Sequence, residues 1–172
     1  FISYSSMLNC YSKHGMVSKA EGLLVEMSED SPYQPTVACY LPLINGLEKS
    51  NDSDAPTRLI SLIERCERSL RRPNRLLYTA ALRCMRRHAR GEEAEVLLEK
   101  FHSAFPSLGG PDVYSYVSVL RAYERTRPKA NRLDAANKAE AFFNKMQEKV
   151  NEAVLPSLDV NVYNILLNCY SR

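Results

Sequence analysis

The octapeptide AEGLLVEM at residues 20–27 returns as AEVLLEKF at 94–101 and as AEAFFNKM at 139–146. A chain that writes one short pattern several times, tens of residues apart, is constrained to build one structural unit several times. Each octapeptide has an upstream partner segment led by a tyrosine. These segments read YSSMLNCYSK from Tyr4, YTAALRCMRR from Tyr78 and YVSVLRAYER from Tyr116. A further copy, YNILLNCYSR, starts at Tyr163, and a weaker one, YLPLINGLEK, at Tyr40. The tyrosines stand 36, 38, 38 and 47 residues apart. Copy two lacks the Ala-Glu pair, and copy four carries the insertion TRPKANRLDAANK between Thr126 and Lys138.

Both segments have the period of a helix. Tyr4, Met7, Leu8 and Tyr11 place apolar residues on one helical face. Tyr78, Ala81, Leu82 and Met85 repeat the spacing, as do Tyr163, Leu166, Leu167 and Tyr170. The octapeptide repeats it again at Ala20, Leu23, Leu24 and Met27, with the alanine allowing close helix approach. Gly15 and Gly91 are the expected breaks between the two helices. In copy two, Ser53 or Asp54 is the expected N-cap, with Pro56 in the first turn. Pro35, Pro73, Pro111 and Pro156 close the units, since proline cannot continue a helix. The unit is therefore helix A, short turn, helix B, proline turn. One such unit cannot bury its apolar faces alone, whereas stacked neighbours can. The expectation is an all-α solenoid of stacked helix-turn-helix repeats at about 1–36, 37–74, 75–112, 113–159 and, in part, 160–172. The octapeptide's apolar places are its expected packing surface.

Composition narrows the function. The hydrophobic fraction is 45% and the charged fraction 25%, as in ordinary globular proteins. No apolar run approaches the roughly 18 residues of a membrane span, so no membrane partner is expected. The chain begins at Phe1 and neither end carries a polar capping helix, so a piece of a longer array is expected. The five cysteines form no CxxC, which argues against a disulfide framework or a zinc site and favours a reducing compartment. Cys10, Cys84 and Cys169 each follow a tyrosine by six residues and are expected to be small buried helix positions. His14, His88 and His102 have no partners at catalytic spacing, and neither a zinc-deaminase signature nor a Gly-rich phosphate loop is present. No enzyme activity, metal or cofactor is expected.

Charge is the more informative feature. Net charge is only +3, but nine arginines fall between Arg65 and Arg90 against the single acid Glu67. Arg83, Arg86, Arg87 and Arg90 are expected to share one helical side. A cation stands nine residues after every tyrosine: Lys13, Lys49, Arg87, Arg125 and Arg172. Such a ladder suits a spaced line of phosphates. It also suits the C-terminal dipole of helix A, and the two roles are compatible.

The outline Y-N-x-L-I, then G, then A-x-x-L-F-x-x-M, then P-D resembles the pentatricopeptide repeat. YSSMLNCYSKHGMVSKAEGLLVEM carries it most fully, followed by PDVYSYVSVL (111–120) and DVNVYNILLNCYSR (159–172). The tetratricopeptide repeat fits less well. It wants a leading Trp where Tyr stands, and glycine where Leu8, Leu82, Leu120 and Leu167 stand. The resemblance implies a right-handed α-solenoid that binds single-stranded RNA at near one base per repeat. It assigns base reading to the residue after each tyrosine (Ser5, Leu41, Thr79, Val117, Asn164) and to the residue closing each repeat (Thr36, Asn74, Asp112, Asp159). Thr79 with Asp112 resembles the family's guanine-reading pair, and Asn164 a pyrimidine reader. Leu41 and Val117 cannot hydrogen-bond a base, and Ser5 with Thr36 is not a usual pair. Ile2, Leu76 and Tyr114 are candidates to wedge between bases, and Tyr114 is the stacking candidate. The implied function is single-stranded RNA binding in organellar RNA metabolism (processing, stability or translation), in a mitochondrion or chloroplast. Irregular repeat lengths and illegible pairs leave an alternative open. That alternative is a scaffold subunit of an organellar ribosome or other ribonucleoprotein, with ribosomal RNA and protein neighbours as partners.

Overall fold

The computed structural model describes residues 2–29, 35–70, 74–105, 110–126 and 132–171. Arg71, Arg72, Pro73 and Arg172, and residues 127–131 of the insertion, lie outside them. The described residues form nine α-helices and no strand: α1 (Ile2–Lys13), α2 (Val17–Glu29), α3 (Val37–Lys49), α4 (Ala55–Leu70), α5 (Arg75–Arg87), α6 (Gly91–Ala104), α7 (Val113–Arg125), α8 (Arg132–Asn151) and α9 (Val160–Ser171). The chain divides into two compact units, Phe1–Cys84 and Met85–Arg172, and the division falls inside α5.

In the first unit α1 packs on α2 and α3, and α3 also packs on α2 and α4. In the second, α7 packs on α6, α8 and α9, and α8 on α9. The octapeptide supplies much of both cores. Ala20, Leu24, Met27, Ala94, Phe101, Ala139 and Met146 are all 0% exposed, because each of these helices packs on a helix A of its unit: α2 on α1 and α3, α6 on α7, α8 on α7 and α9. The repeated tyrosines are mostly core as well. Tyr40, Tyr78 and Tyr116 are buried with their hydroxyls bonded to Ser69, Glu67 and His102, as buried phenols require. Cysteine burial follows the pattern only in part. Cys84 is buried, but Cys10 is exposed and Cys169 half-buried, because each packs only where a neighbouring helix covers its face.

Helix ends show what the pattern could not. Gly15, at φ +72°, closes α1, and the Met16 N–H reaches back to the Tyr11 carbonyl at 2.9 Å. That is the Schellman arrangement, with the left-handed residue just past the helix. At the end of α5 the left-handed residue is Ala89, at φ 56°, with the Arg90 N–H on the Met85 carbonyl at 3.1 Å. Gly91, the expected break, is instead the first residue of α6. Its lack of a side chain serves packing, since a Cβ there would lie 2.3 Å from Tyr123 Cδ1. Tyr123 is itself buried and bonded to Glu95 at 2.6 Å, so its ring is held in place. The two sites should therefore respond in opposite directions. Ala89→Gly is expected to raise unfolding free energy by about 0.5–1 kcal/mol by relieving the left-handed strain. Gly91→Ala is expected to lower it by about 1–3 kcal/mol through overpacking. Urea midpoints measured by circular dichroism read both.

In copy two, α4 starts at Ala55 with Asp54 at the N-cap position, its carbonyl accepting the Arg58 N–H at 3.0 Å, and Pro56 lies in the first turn.

Candidate nucleic-acid interface

The cations nine residues after each tyrosine occupy one structural position. Lys13, Lys49, Arg87 and Arg125 are the last residues of α1, α3, α5 and α7, and all four are exposed. Among the described residues none of the four has an ion-pair partner. Their place follows from helix A's length, and a cation there also meets the negative end of the helix dipole. Lys13 and Lys49 belong to the first unit, Arg87 and Arg125 to the second.

The rest of the arginine belt is more committed. Arg83 Nε bonds Glu48 at 2.9 Å and its Nη2 bonds Asn45 at 2.9 Å. Arg90 is not on α5 at all: it is the N-cap residue of α6 and pairs with Glu93 at 3.4 Å. The expected four-arginine helical side therefore reduces to Arg86 and Arg87, because the helix ends before Arg90 and Glu48 neutralises Arg83. Arg58 grips Glu21 at 2.7 Å, Asp52 at 2.6 Å and Ser18 at 3.2 Å. The hydrogen bonds it donates to Glu21 first, and then to Asp52, hold the pKa of its guanidinium above the usual value.

The residues expected to read bases sit at helix starts. Asn74 Oδ1 accepts the Leu76 N–H at 2.9 Å. Asp112 is the N-cap of α7, its Oδ1 accepting the Ser115 N–H at 2.9 Å and the Ser115 hydroxyl at 2.8 Å. Asp159 Oδ1 accepts the Val162 N–H at 3.1 Å. These three carboxylate and amide groups thus hold helix ends, and one oxygen of each is already engaged. Thr79 is half-buried and donates its hydroxyl to the Arg75 carbonyl at 3.0 Å; it lies in the first unit and Asp112 in the second. Leu41 and Val117 are half-buried, and Asn164 is exposed. Ser5 and Thr36 are brought together: their hydroxyls both lie against Cys39 Sγ, at 3.9 and 3.8 Å. Tyr114 and Leu76 are exposed, at 47% and 63%.

Two sets of residues were missed. Cys39 offers no sequence signal beyond its position near Tyr40. The glutamate of each octapeptide did offer one, since it recurs in all three copies. Glu21 reaches Arg58 of α4, Glu95 reaches Lys145 of α8 at 2.5 Å as well as Tyr123, and Glu140 reaches Tyr170 of α9. Each ties its hairpin to the next helix pair within its unit.

His102, on α6, is half-buried, and its Nε2 accepts the Tyr116 hydroxyl when the ring is neutral. Burial first, and the Lys149 ammonium of α8 second, lower its pKa below the ordinary 6.5, while burial first, and Glu152 just past α8 second, raise that of Tyr116. A lowered folded-state pKa means that the fold prefers neutral His102. The resulting stability is present above about pH 6.5 and is lost as pH falls through the folded-state value. The melting temperature is expected to fall less between pH 7.5 and 5.0 in His102→Gln than in the native chain. Parallel curves would contradict this account of His102.

Among the described residues no group of three or more His, Cys, Asp or Glu side chains could hold a metal, and no helix is long and apolar enough to cross a membrane. Residues 2–31 match the family model for the PPR repeat, which spans the first hairpin. A comparison with curated proteins gives no match. Such a repeat implies a nucleic-acid-binding helical-repeat protein, generally an RNA binder. The described residues are all helical and residues 2–31 carry a PPR repeat, which supports a pentatricopeptide repeat protein.

Proposed function

We propose that this chain binds single-stranded RNA and acts in organellar RNA metabolism, in processing, stability or translation. The observation that carries the reading is the exposed cation, without an ion-pair partner among the described residues, that ends each of α1, α3, α5 and α7. The PPR repeat at residues 2–31 supports the organellar setting, since proteins that carry such repeats are typically organellar. The reading takes 1–36, 37–74, 75–112 and 113–159 as successive repeats and 160–172 as the first helix of a fifth. Lys13, Lys49, Arg87 and Arg125 face the phosphates, Arg172 shares their sequence register but lies outside the described residues, and Tyr114 stacks on a base. Base reading is weak and tolerant, because Asn74, Asp112 and Asp159 each spend an oxygen on a helix end and Leu41 and Val117 carry no polar group. That same engagement favours a second reading, a fixed scaffold subunit of an organellar ribosome or other ribonucleoprotein.

A filter-binding titration with single-stranded RNA at low salt tests the first reading, and absence of binding sinks it. Sedimentation of organelle extracts separates the two. A free RNA factor runs with light messenger complexes, whereas a scaffold subunit runs wholly with a large particle.

A further inference from the structure

Five residues after each repeated tyrosine stands a side chain with two or more N–H donors: Asn9, Asn45, Arg83, Arg121 and Asn168. On a helix that place lies one turn from the residue after the tyrosine and one turn from the cation that ends helix A, on the same face. Two of the five tie their helix A to the one before it. Arg83 of α5 holds Glu48 and Asn45 of α3, each at 2.9 Å, and Asn168 of α9 donates to Glu124 of α7 at 3.1 Å.

Arg121 of α7 has no such tie. It is half-buried, its Nε is closed off from solvent without a hydrogen-bond partner, and it has no ion pair among the described residues. The register that gives Arg83 an acid gives Arg121 none. Glu48 stands eight residues after Tyr40, and the same place after Tyr78 is Arg86. Glu124, three residues further along α7, accepts the Asn168 amide.

A guanidinium cannot shed its proton to escape this position. An N–H left unsatisfied out of water destabilises the free protein, the more so on a charged group. An anion relieves it. Swung outward, the planar fork offers Nε and one Nη together to two oxygens of a single phosphate. Arg121 also shares its face of α7 with Val117 and Arg125, the face that the RNA reading above turns to the nucleic acid.

We propose that Arg121 is a phosphate anchor for single-stranded RNA, with an internucleotide phosphate supplying the counter-charge that the fold omits. The proposal rests on the RNA reading above and adds a contact outside the ladder of helix-ending cations. Two properties set Arg121 apart from a ladder cation: its contact needs the fork as well as the charge, and its charge works against the stability of the free protein.

The test uses Arg121→Met, which loses the charge, and Arg121→Lys, which keeps the charge and loses the fork. Fluorescence anisotropy with a labelled oligo(U) 12-mer over a series of salt concentrations reads binding, and circular dichroism reads melting without RNA. Arg121→Met should bind about tenfold more weakly at low salt, with a salt slope shallower by about 0.7. Its melting temperature should rise by about 2 °C. Arg121→Lys should keep the native slope and still bind about fivefold more weakly. Native affinity in Arg121→Met overturns the proposal and leaves RNA binding standing. If Arg121→Met fails to fold, Arg121→Lys carries the test, and native affinity in it overturns the proposal. A melting temperature lowered in both variants makes Arg121 a structural residue and also overturns it. A native chain that does not bind the oligomer overturns the RNA reading, and this proposal with it.

Discussion

Phe101→Ala should lower the unfolding free energy by about 3–5 kcal/mol, the range for a large aromatic removed from a packed core. Phe101 fills the last apolar place of the second octapeptide and is 0% exposed. Its ring stands edge-on to Phe105 with centroids 5.4 Å apart, so truncation loses an aromatic pair as well as buried area. Val96 lies on the same helix and is 56% exposed. Val96→Ala should change stability by no more than about 0.5 kcal/mol. Urea denaturation of both variants measures the contrast. A small cost at Phe101 would mean that the repeated octapeptide is not the core-forming element that its burial indicates.

The second large effect concerns RNA. Replacing Lys49, Arg87 and Arg125 with alanine together should weaken single-stranded RNA binding on the order of a hundredfold at low salt, since the proposed function gives each of the three a phosphate contact. The fold should survive, because all three side chains are exposed and none has an ion-pair partner among the described residues. Near-native helical content in the triple variant would assign the loss to the interface.

The sequence made the core legible because period and repetition reinforce each other there. Ala20, Ala94 and Ala139 recur in register, and each is fully buried. The exposed cations were legible for the same reason: a fixed offset from the repeated tyrosine puts them at the end of helix A. Features set by contacts between helices were not legible. Gly91 read as a turn residue, whereas its role is to admit the Tyr123 ring, a neighbour 32 positions away in sequence. Ala89 gave no sign of a left-handed backbone, because alanine is poor at it. Arg83 looked like part of a free basic face until α3 brought Glu48 within 2.9 Å. The glutamates Glu21, Glu95 and Glu140 were visible as a pattern, but their partners lie on other helices at irregular separations. Thr36 had the chemistry of a cap and does something else because Cys39 lies beneath it.

The measurement that bears most directly on the account is the salt dependence of RNA affinity, plotted as log K against log salt concentration. For single strands each neutralised phosphate contributes a slope of about −0.7. The native chain should show a steep line, and the Lys49, Arg87 and Arg125 alanine variant a line shallower by about 2. Equal slopes for the two proteins would contradict the claim that these helix-ending cations meet the RNA backbone.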